Sequence, residues 1–149
     1  MELLHERCAA LDIGKKDLKA CVRTPSVSRR KRSRSQEIRT SPPPPTRCWS
    51  CGTGWVAERV TLVVLEATGD YLRGAFYLLE DDLNVILVNA AHVKGLPGRK
   101  TDVSDASWLC QLGECGLLRA SFVPPEPIRQ LRDLTRYRTT LTAERTREA

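Results

Sequence analysis

The chain has 149 residues, with 24 Lys and Arg against 18 Asp and Glu and a formal net charge of +6. This length suffices for one domain with a hydrophobic core and an appendage, and 41% hydrophobic and 28% charged residues are ordinary for a soluble globular protein. No apolar run approaches the roughly 20 residues needed to span a bilayer, and the N-terminus lacks the apolar core of a secretory signal. We therefore expect a cytoplasmic protein without membrane association, and the basic excess favours a polyanionic partner such as nucleic acid.

The sequence contains six cysteines. Without a secretory signal a disulfide framework is not expected, so most of them are interpreted as small apolar residues. Cys48-Trp49-Ser50-Cys51 has the spacing of a metal or redox site, but one such pair supplies half of a zinc site at most. The role of Cys48 and Cys51 stays open at this point.

The first part of the chain predicts a meander of short strands. Residues 8–14 and 18–23 are apolar runs separated by a glycine-containing turn, which is typical of a hairpin, and residues 36–40 can add a third strand. Asp12 interrupts the first apolar run. A carboxylate at this position must be paired, bind a cation or face solvent, and the sequence leaves these alternatives open.

Residues 26–47 differ in character from the rest of the chain. Arg29-Arg30-Lys31-Arg32-Ser33-Arg34 places five positive charges in six positions, and residues 42–45 are four prolines, which exclude a helix or a sheet ladder. Such a basic run is either a solvated, self-repelling loop or an arm that contacts phosphates. Residues 41–55 have no periodic apolar face, so we expect them to lie outside the core as a loop.

The second half of the chain predicts strands that alternate with helices. Residues 60–66 form a β-branched apolar run of the kind found in a central strand covered on both faces, and residues 84–89 predict another buried strand. Between them lies a helix whose apolar face includes Phe76. Glu66 ends the central strand, where a carboxylate is either part of a cleft or a solubilising charge.

A basic turn, Pro97-Gly98-Arg99-Lys100-Thr101, leads directly into a helix that is predicted to start near Asp102 and to end at Gly113 or Gly116. Asp102 and Asp105 are three residues apart, which places both carboxylates on one face of this helix. With acids from elsewhere in the chain, they could bind a hard divalent cation. The alternative is that Asp102 caps the helix and Asp105 favours its positive end, which requires no metal.

A last helix is predicted from Pro127 onward, with an apolar stripe along one face. Arg129, Arg132 and Arg136 line a different face, which either meets water or lies along phosphates. The pattern reaches the last residue without a glycine or proline stop, so we expect the helix to be cut off rather than finished.

Five motifs, taken together and in this order, resemble the DEDD-type insertion-sequence transposases. They are ALDIGK (residues 10–15), LEATGDY (65–71), LPGRKTDVSDA (96–106), GLLRASFVP (116–124) and IRQLRDLTR (128–136). In that family a RuvC-like N-terminal domain, an α/β domain of ribonuclease-H-like fold with a mixed sheet flanked by helices, is joined by a helical linker to a C-terminal domain with a serine nucleophile. The resemblance implies a RuvC-like domain over residues 1–124, with an irregular basic and proline-rich insertion at about 26–57, and the start of a long linker helix over residues 125–149.

The resemblance assigns Asp12, Glu66, Asp102 and Asp105 to an acidic tetrad that binds Mg²⁺ and serves DNA strand cleavage and exchange in transposition. It implies DNA, a guide RNA from the element and, in the full-length protein, further copies of the chain as partners. The positive side chains expected to contact nucleic acid are Arg29, Arg30, Lys31, Arg32, Arg34, Arg99, Lys100, Arg129, Arg132 and Arg136.

Two features depart from the family. Residues 41–55 stand where the family has a strand end and an amphipathic helix, and a local shift of the reading frame is one hypothesis that explains them. The serine-bearing domain is missing, so we expect this chain alone not to complete strand exchange. An inactive transposase remnant and a nucleic-acid-binding module without catalysis are the alternative functions.

Overall fold

The computed structural model describes residues 3–14, 17–26, 34–41, 53–67, 71–96 and 105–148. The strands in this part of the chain are β1 (Cys8–Ile13), β2 (Leu18–Pro25), β3 (Arg34–Ser41), β4 (Leu62–Ala67) and β5 (Val85–Asn89). The helical segments are residues 53–57 (α1), Tyr71–Leu79 (α2), Ala90–Lys94 (α3), Asp105–Glu114 (α4) and Glu126–Glu148 (α5). Each of these five strands lies where the sequence predicts one.

The strands form one mixed sheet in the order β3-β2-β1-β4-β5. β1, β2 and β3 pair in antiparallel fashion as the predicted meander, whereas β4 is parallel to β1 and β5 is parallel to β4. Because β1 and β4 run in the same direction, their carboxyl ends meet at one edge of the sheet. A mixed sheet with this order, flanked by helices and followed by α5, has the ribonuclease-H-like fold, so the fold class that the resemblance implies is confirmed.

Side chains alternate between the two faces of the sheet, and each face has its own hydrophobic core. On one face, Leu11 of β1 and Leu65 of β4 pack with Trp55 of α1 and with Phe76 and Leu79 of α2. The other side, which we call the α4 face, packs against helix α4. Its buried residues include Cys8, Ala10, Cys21, Leu62, Val64, Ala106, Leu109 and Cys110.

The segment before β4 contributes to the core, which the sequence did not predict. Trp55 lies on α1, is only 5% exposed and belongs to the same hydrophobic cluster as Leu11. The expectation that residues 41–55 lie outside the core is therefore wrong at Trp55, because a single large side chain can anchor a short helix without any periodic apolar pattern. Residues 42–52, with Cys48 and Cys51, lie outside the part of the chain that the structure describes.

Helix α5 extends from the domain with its predicted apolar stripe exposed. Its residues 126–148 include no buried side chain. Near its start, however, Arg129 donates to Glu80 of the segment after α2 over 2.7 and 3.0 Å and lies over the ring of Tyr77, 4.4 Å from the ring centroid. Arg73 of α2 adds a hydrogen bond of 3.3 Å to Asp133. These contacts join the start of α5 to α2, while its exposed large apolar residues are Ile128, Leu131, Leu134, Tyr137 and Leu141.

The close packing of α4 on the sheet depends on Gly113. A Cβ at this position would lie 2.9 Å from Cγ2 of Val64 and 3.0 Å from Sγ of Cys8. We therefore expect Gly113→Ala to lower the free energy of unfolding by about 1–3 kcal/mol, because overpacking outweighs the better helix propensity of alanine. Urea titration followed by circular dichroism measures this change.

Gly74→Ala is the matched control, since Gly74 also lies within a helix but has no atom within 4 Å of the added Cβ. This control is expected to raise the free energy of unfolding by about 0.5–1 kcal/mol. Equal effects of the two substitutions would show that the contact between α4 and the sheet is not tight at Gly113.

Candidate active site at the carboxyl ends of β1 and β4

Asp12 lies near the carboxyl end of β1 and points to the α4 face of the sheet. Cys8 and Ala10, the residues four and two positions before it, belong to the core on that face. Because side chains alternate along a strand, Asp12 continues the same row. The strand therefore carries a partly exposed carboxylate where a third apolar residue would extend the core.

Glu66 occupies the equivalent place on β4. The parallel register pairs Leu11 with Leu65, so Asp12 and Glu66 come next on the two neighbouring strands. Leu62 and Val64 face α4, and the same alternation places Glu66 on the α4 face. Glu66 is only 9% exposed, so the solubilising role that the sequence left open does not describe it.

Asp105 is the first residue of α4, which packs on this face, and its carboxylate lies near that of Asp12. The next residue, Ala106, is fully buried against the sheet, which fixes the start of the helix above the end of β1. The pKa of Asp12 is raised above its ordinary value, mainly because the side chain is desolvated by burial, and next because the Asp105 carboxylate lies near it. Lys19 acts in the opposite direction and lowers this pKa. Repulsion from Asp105 therefore contributes to the raised pKa of Asp12, although burial is the larger cause.

Asp102, the remaining acid of the predicted tetrad, lies outside the described residues. Among the residues that the structure does describe, no group of three or more His, Cys, Asp or Glu side chains is compact enough to hold a metal ion. The chemistry of the site nevertheless fits a hard divalent cation, because its donors are carboxylate oxygens and two of these carboxylates repel each other.

Two arginines of the predicted nucleic-acid surface have partners within the domain. Arg34 pairs with Glu114 of α4, and Arg129 pairs with Glu80, with side chains that are 16% and 13% exposed. Arg132 and Arg136 are exposed on α5, with Nη1 of Arg136 3.9 Å from Oδ1 of Asp133. Arg29, Arg30, Lys31, Arg32, Arg99 and Lys100 lie outside the described residues.

Sequence reasoning missed two features of the α4 face. One is Glu114, which is 2% exposed and accepts hydrogen bonds from Arg23 and Arg34. The other is Lys19, the partner of Asp12 in the β1–β2 register. Side chains alternate between the two faces along β2, and Cys21 faces α4, so Lys19 and Arg23 lie on the same face. This alternation was the sequence signal that could have placed both residues. Cys8, Cys21 and Cys110 are free and buried, as expected of small apolar residues.

Fold and site together define a ribonuclease-H-like domain with carboxylates at the adjoining ends of its two central parallel strands. The profile of the IS110-type DEDD transposases, described as "Transposase", matches residues 9–149. The chain therefore belongs to this transposase family.

Solved structures similar to this chain are Holliday junction resolvases and RuvC. The fowlpox virus resolvase in complex with Holliday junction DNA is 16% identical with a TM-score of 0.41, and the match covers 64% of this chain and 65% of that one. Thermus thermophilus RuvC is 16% identical with a TM-score of 0.44, over 78% of this chain and 84% of that one. The chain thus spans less than two thirds of the fowlpox resolvase. No curated protein matches the sequence.

Within the described ranges, no helix is long and apolar enough to cross a bilayer.

Proposed function

We propose that this chain is the catalytic N-terminal domain of a transposase, which uses Mg²⁺ to cleave a DNA strand during transposition of an insertion sequence. The observation that carries the proposal is the proximity of the Asp12 and Asp105 carboxylates on the face that also bears Glu66. A transposase that acts on the DNA of its own cell needs access to that DNA, and the cytoplasm is the location we propose.

In this proposal Asp12, Glu66, Asp102 and Asp105 bind the cation. When bound, Mg²⁺ supplies charge stabilisation at the phosphodiester and lowers the pKa of an attacking water or hydroxyl group. The protein contributes rigid placement, because Asp12 and Glu66 are fixed by adjacent hydrogen-bonded strands and Asp105 by a helix that packs on the same sheet. Glu66 is largely buried, and electrostatic interactions are stronger where water is excluded.

The partner proposed for this site is DNA. Exposed Arg132 and Arg136 on α5 and the basic run at residues 29–32 supply charge for phosphate contacts. We assign Arg34 and Arg129 structural roles instead, since both guanidinium groups are paired within the domain. A guide RNA and further copies of the chain remain proposals that rest on the family resemblance.

Plasmid nicking tests the proposal. Supercoiled plasmid is incubated with the chain in Mg²⁺ or in EDTA, and we expect slow nicking that requires Mg²⁺. Asp105→Asn should reduce the nicking rate by more than about tenfold, because even groups that only orient a metal ligand commonly contribute that much. Asp82→Asn, which changes an exposed acid in the turn between α2 and β5, is the matched control and should nick at the wild-type rate.

Two results would contradict the proposal. Nicking that persists in EDTA or in the Asp105 variant would exclude the carboxylates as the catalytic group. Binding of the plasmid without any nicking would favour a nucleic-acid-binding module over an enzyme.

A further inference from the structure

A row of polar side chains crosses the α4 face of the sheet at the level of the carboxylates. In the antiparallel registers, Thr40 of β3 pairs with Lys19 of β2, and Lys19 pairs with Asp12 of β1. Glu66 of β4 continues the row beyond Asp12. Cross-strand partners point to the same face of a sheet, so these four side chains are lateral neighbours.

Lys19 is weakly held where it is. Its ammonium nitrogen lies 3.9 Å from Oδ2 of Asp17, and the two side chains are 42% and 47% exposed. Exposed ion pairs of this kind contribute little to stability, so the ammonium group can leave Asp17 for another anion at little cost. It also lies close enough to the carboxylates to lower the pKa of Asp12.

The carboxylates repel the phosphates of a nucleic-acid strand, and the positive charge of Lys19 beside them can reduce this repulsion. A nucleic-acid strand must bring its phosphates to a site where Asp12, Glu66 and Asp105 already concentrate negative charge. Mg²⁺ can compensate the phosphate that it contacts, whereas a neighbouring phosphate of the same strand needs its own positive or hydrogen-bonding partner. Lys19, next to Asp12 on the side away from Glu66, lies in the position for that role.

We propose that Lys19 and Thr40 form a phosphate-binding subsite for the nucleic-acid backbone, adjacent to the carboxylate site. The Lys19 ammonium group pairs with a non-bridging oxygen of a phosphate next to the one at the carboxylates, and the exposed Thr40 hydroxyl donates to the same phosphate. The bound strand then runs from the ends of β1 and β4 across β2 toward β3. This inference rests on the proposed function, because it takes the carboxylates as the reacting site.

Salt-dependent DNA binding tests the subsite. The probes are a fluorescently labelled 20-base-pair duplex of arbitrary sequence and its single strand, titrated with the chain in Ca²⁺ in place of Mg²⁺ at several salt concentrations. For Lys19→Ala, loss of one phosphate contact should reduce the slope of log K against log[salt] by about 0.9 on the duplex, which corresponds to about eightfold weaker binding at 0.1 M salt. Lys19→Arg should restore the slope. Thr40→Val should weaken binding but leave the slope of log K against log[salt] unchanged, because it removes no charge.

Arg119→Ala is the matched control. It removes one exposed positive charge at the opposite edge of the sheet, next to Ala120, which bridges to β5. Its salt slope should equal that of the wild type. A slope for Lys19→Ala that equals the slope of this control would overturn the subsite, and unchanged affinity of Thr40→Val would remove Thr40 from it.

Failure of this inference can be told apart from failure of the proposed function. If the wild-type chain binds DNA and nicks it with Mg²⁺ while Lys19→Ala leaves the salt slope unchanged, only the subsite is wrong. If the wild-type chain binds neither probe, the proposed function and the subsite are both rejected.

Discussion

Replacing Glu114 by alanine is expected to lower the free energy of unfolding by about 3–5 kcal/mol, the range measured when one partner of a buried ion pair is removed. The Glu114 side chain is 3% exposed, and its Oε2 accepts a hydrogen bond from Nε of Arg23 at 3.0 Å while Oε1 accepts one from Arg34. Both arginine side chains are 16% exposed. Without Glu114, two neighbouring guanidinium groups would remain close together, largely out of water and without their carboxylate.

Urea titration of Glu114→Ala measures this loss, and Glu37→Ala is the control. Glu37 pairs with Arg39 at 2.6 Å, but the two side chains are 50% and 65% exposed. An ion pair in water contributes little, so the control should stay within about 0.5 kcal/mol of the wild type. If both variants lost the same stability, the connection that Glu114 makes between α4, β2 and β3 would not be a main stabilising contact.

The sequence predicts the sheet well because the signals of its strands are local. The apolar runs ending at Ile13 and Glu66 need only their own composition to be recognised, and each carries a carboxylate that has no place in a buried strand unless it is used. The amino-acid sequence alone therefore marks Asp12 and Glu66 as candidates but leaves their roles open, and only the family resemblance assigns them to the tetrad. Their common face also follows from the period of two along parallel strands in register.

The parts that the sequence did not predict depend on contacts between distant segments. Glu114 meets Arg23 and Arg34 across 91 and 80 residues of chain, so nothing near any of the three marks them as partners. The sequence therefore predicts Arg34 as the end of a basic arm, whereas in the structure its guanidinium group pairs with Glu114 on the α4 face. Trp55 has the same explanation, because its burial depends on packing against β1, β4 and α2 rather than on the sequence around it.

Asp12→Asn is expected to make the metal-free protein more stable at neutral pH, although it removes a group of the proposed active site. The pKa of Asp12 is raised in the native state by burial and by Asp105. A carboxyl group with a raised native pKa favours folding fully below its unfolded pKa, about 3.9 for aspartate, and this contribution is lost as the pH rises through the native value. At neutral pH the ionised Asp12 therefore opposes folding. Asparagine has nearly the same shape and no charge, so the variant should melt at a higher temperature at pH 7, with the difference shrinking toward pH 4.

With Mg²⁺ present, the wild type should become more stable than Asp12→Asn. A ligand that binds the native state stabilises it by RT ln(1 + [L]/Kd), about 2.7 kcal/mol when its concentration is 100 times Kd. Melting curves of the wild type should therefore shift upward with Mg²⁺, whereas those of Asp12→Asn should stay nearly constant and those of the control Asp82→Asn should follow the wild type. A lower melting temperature of Asp12→Asn without metal, or an equal Mg²⁺ shift in all three proteins, would contradict this assignment. The expected pattern follows from the burial of Asp12 and from the nearby Asp105 carboxylate, since both disfavour the ionised form of Asp12 and a bound cation would offset both.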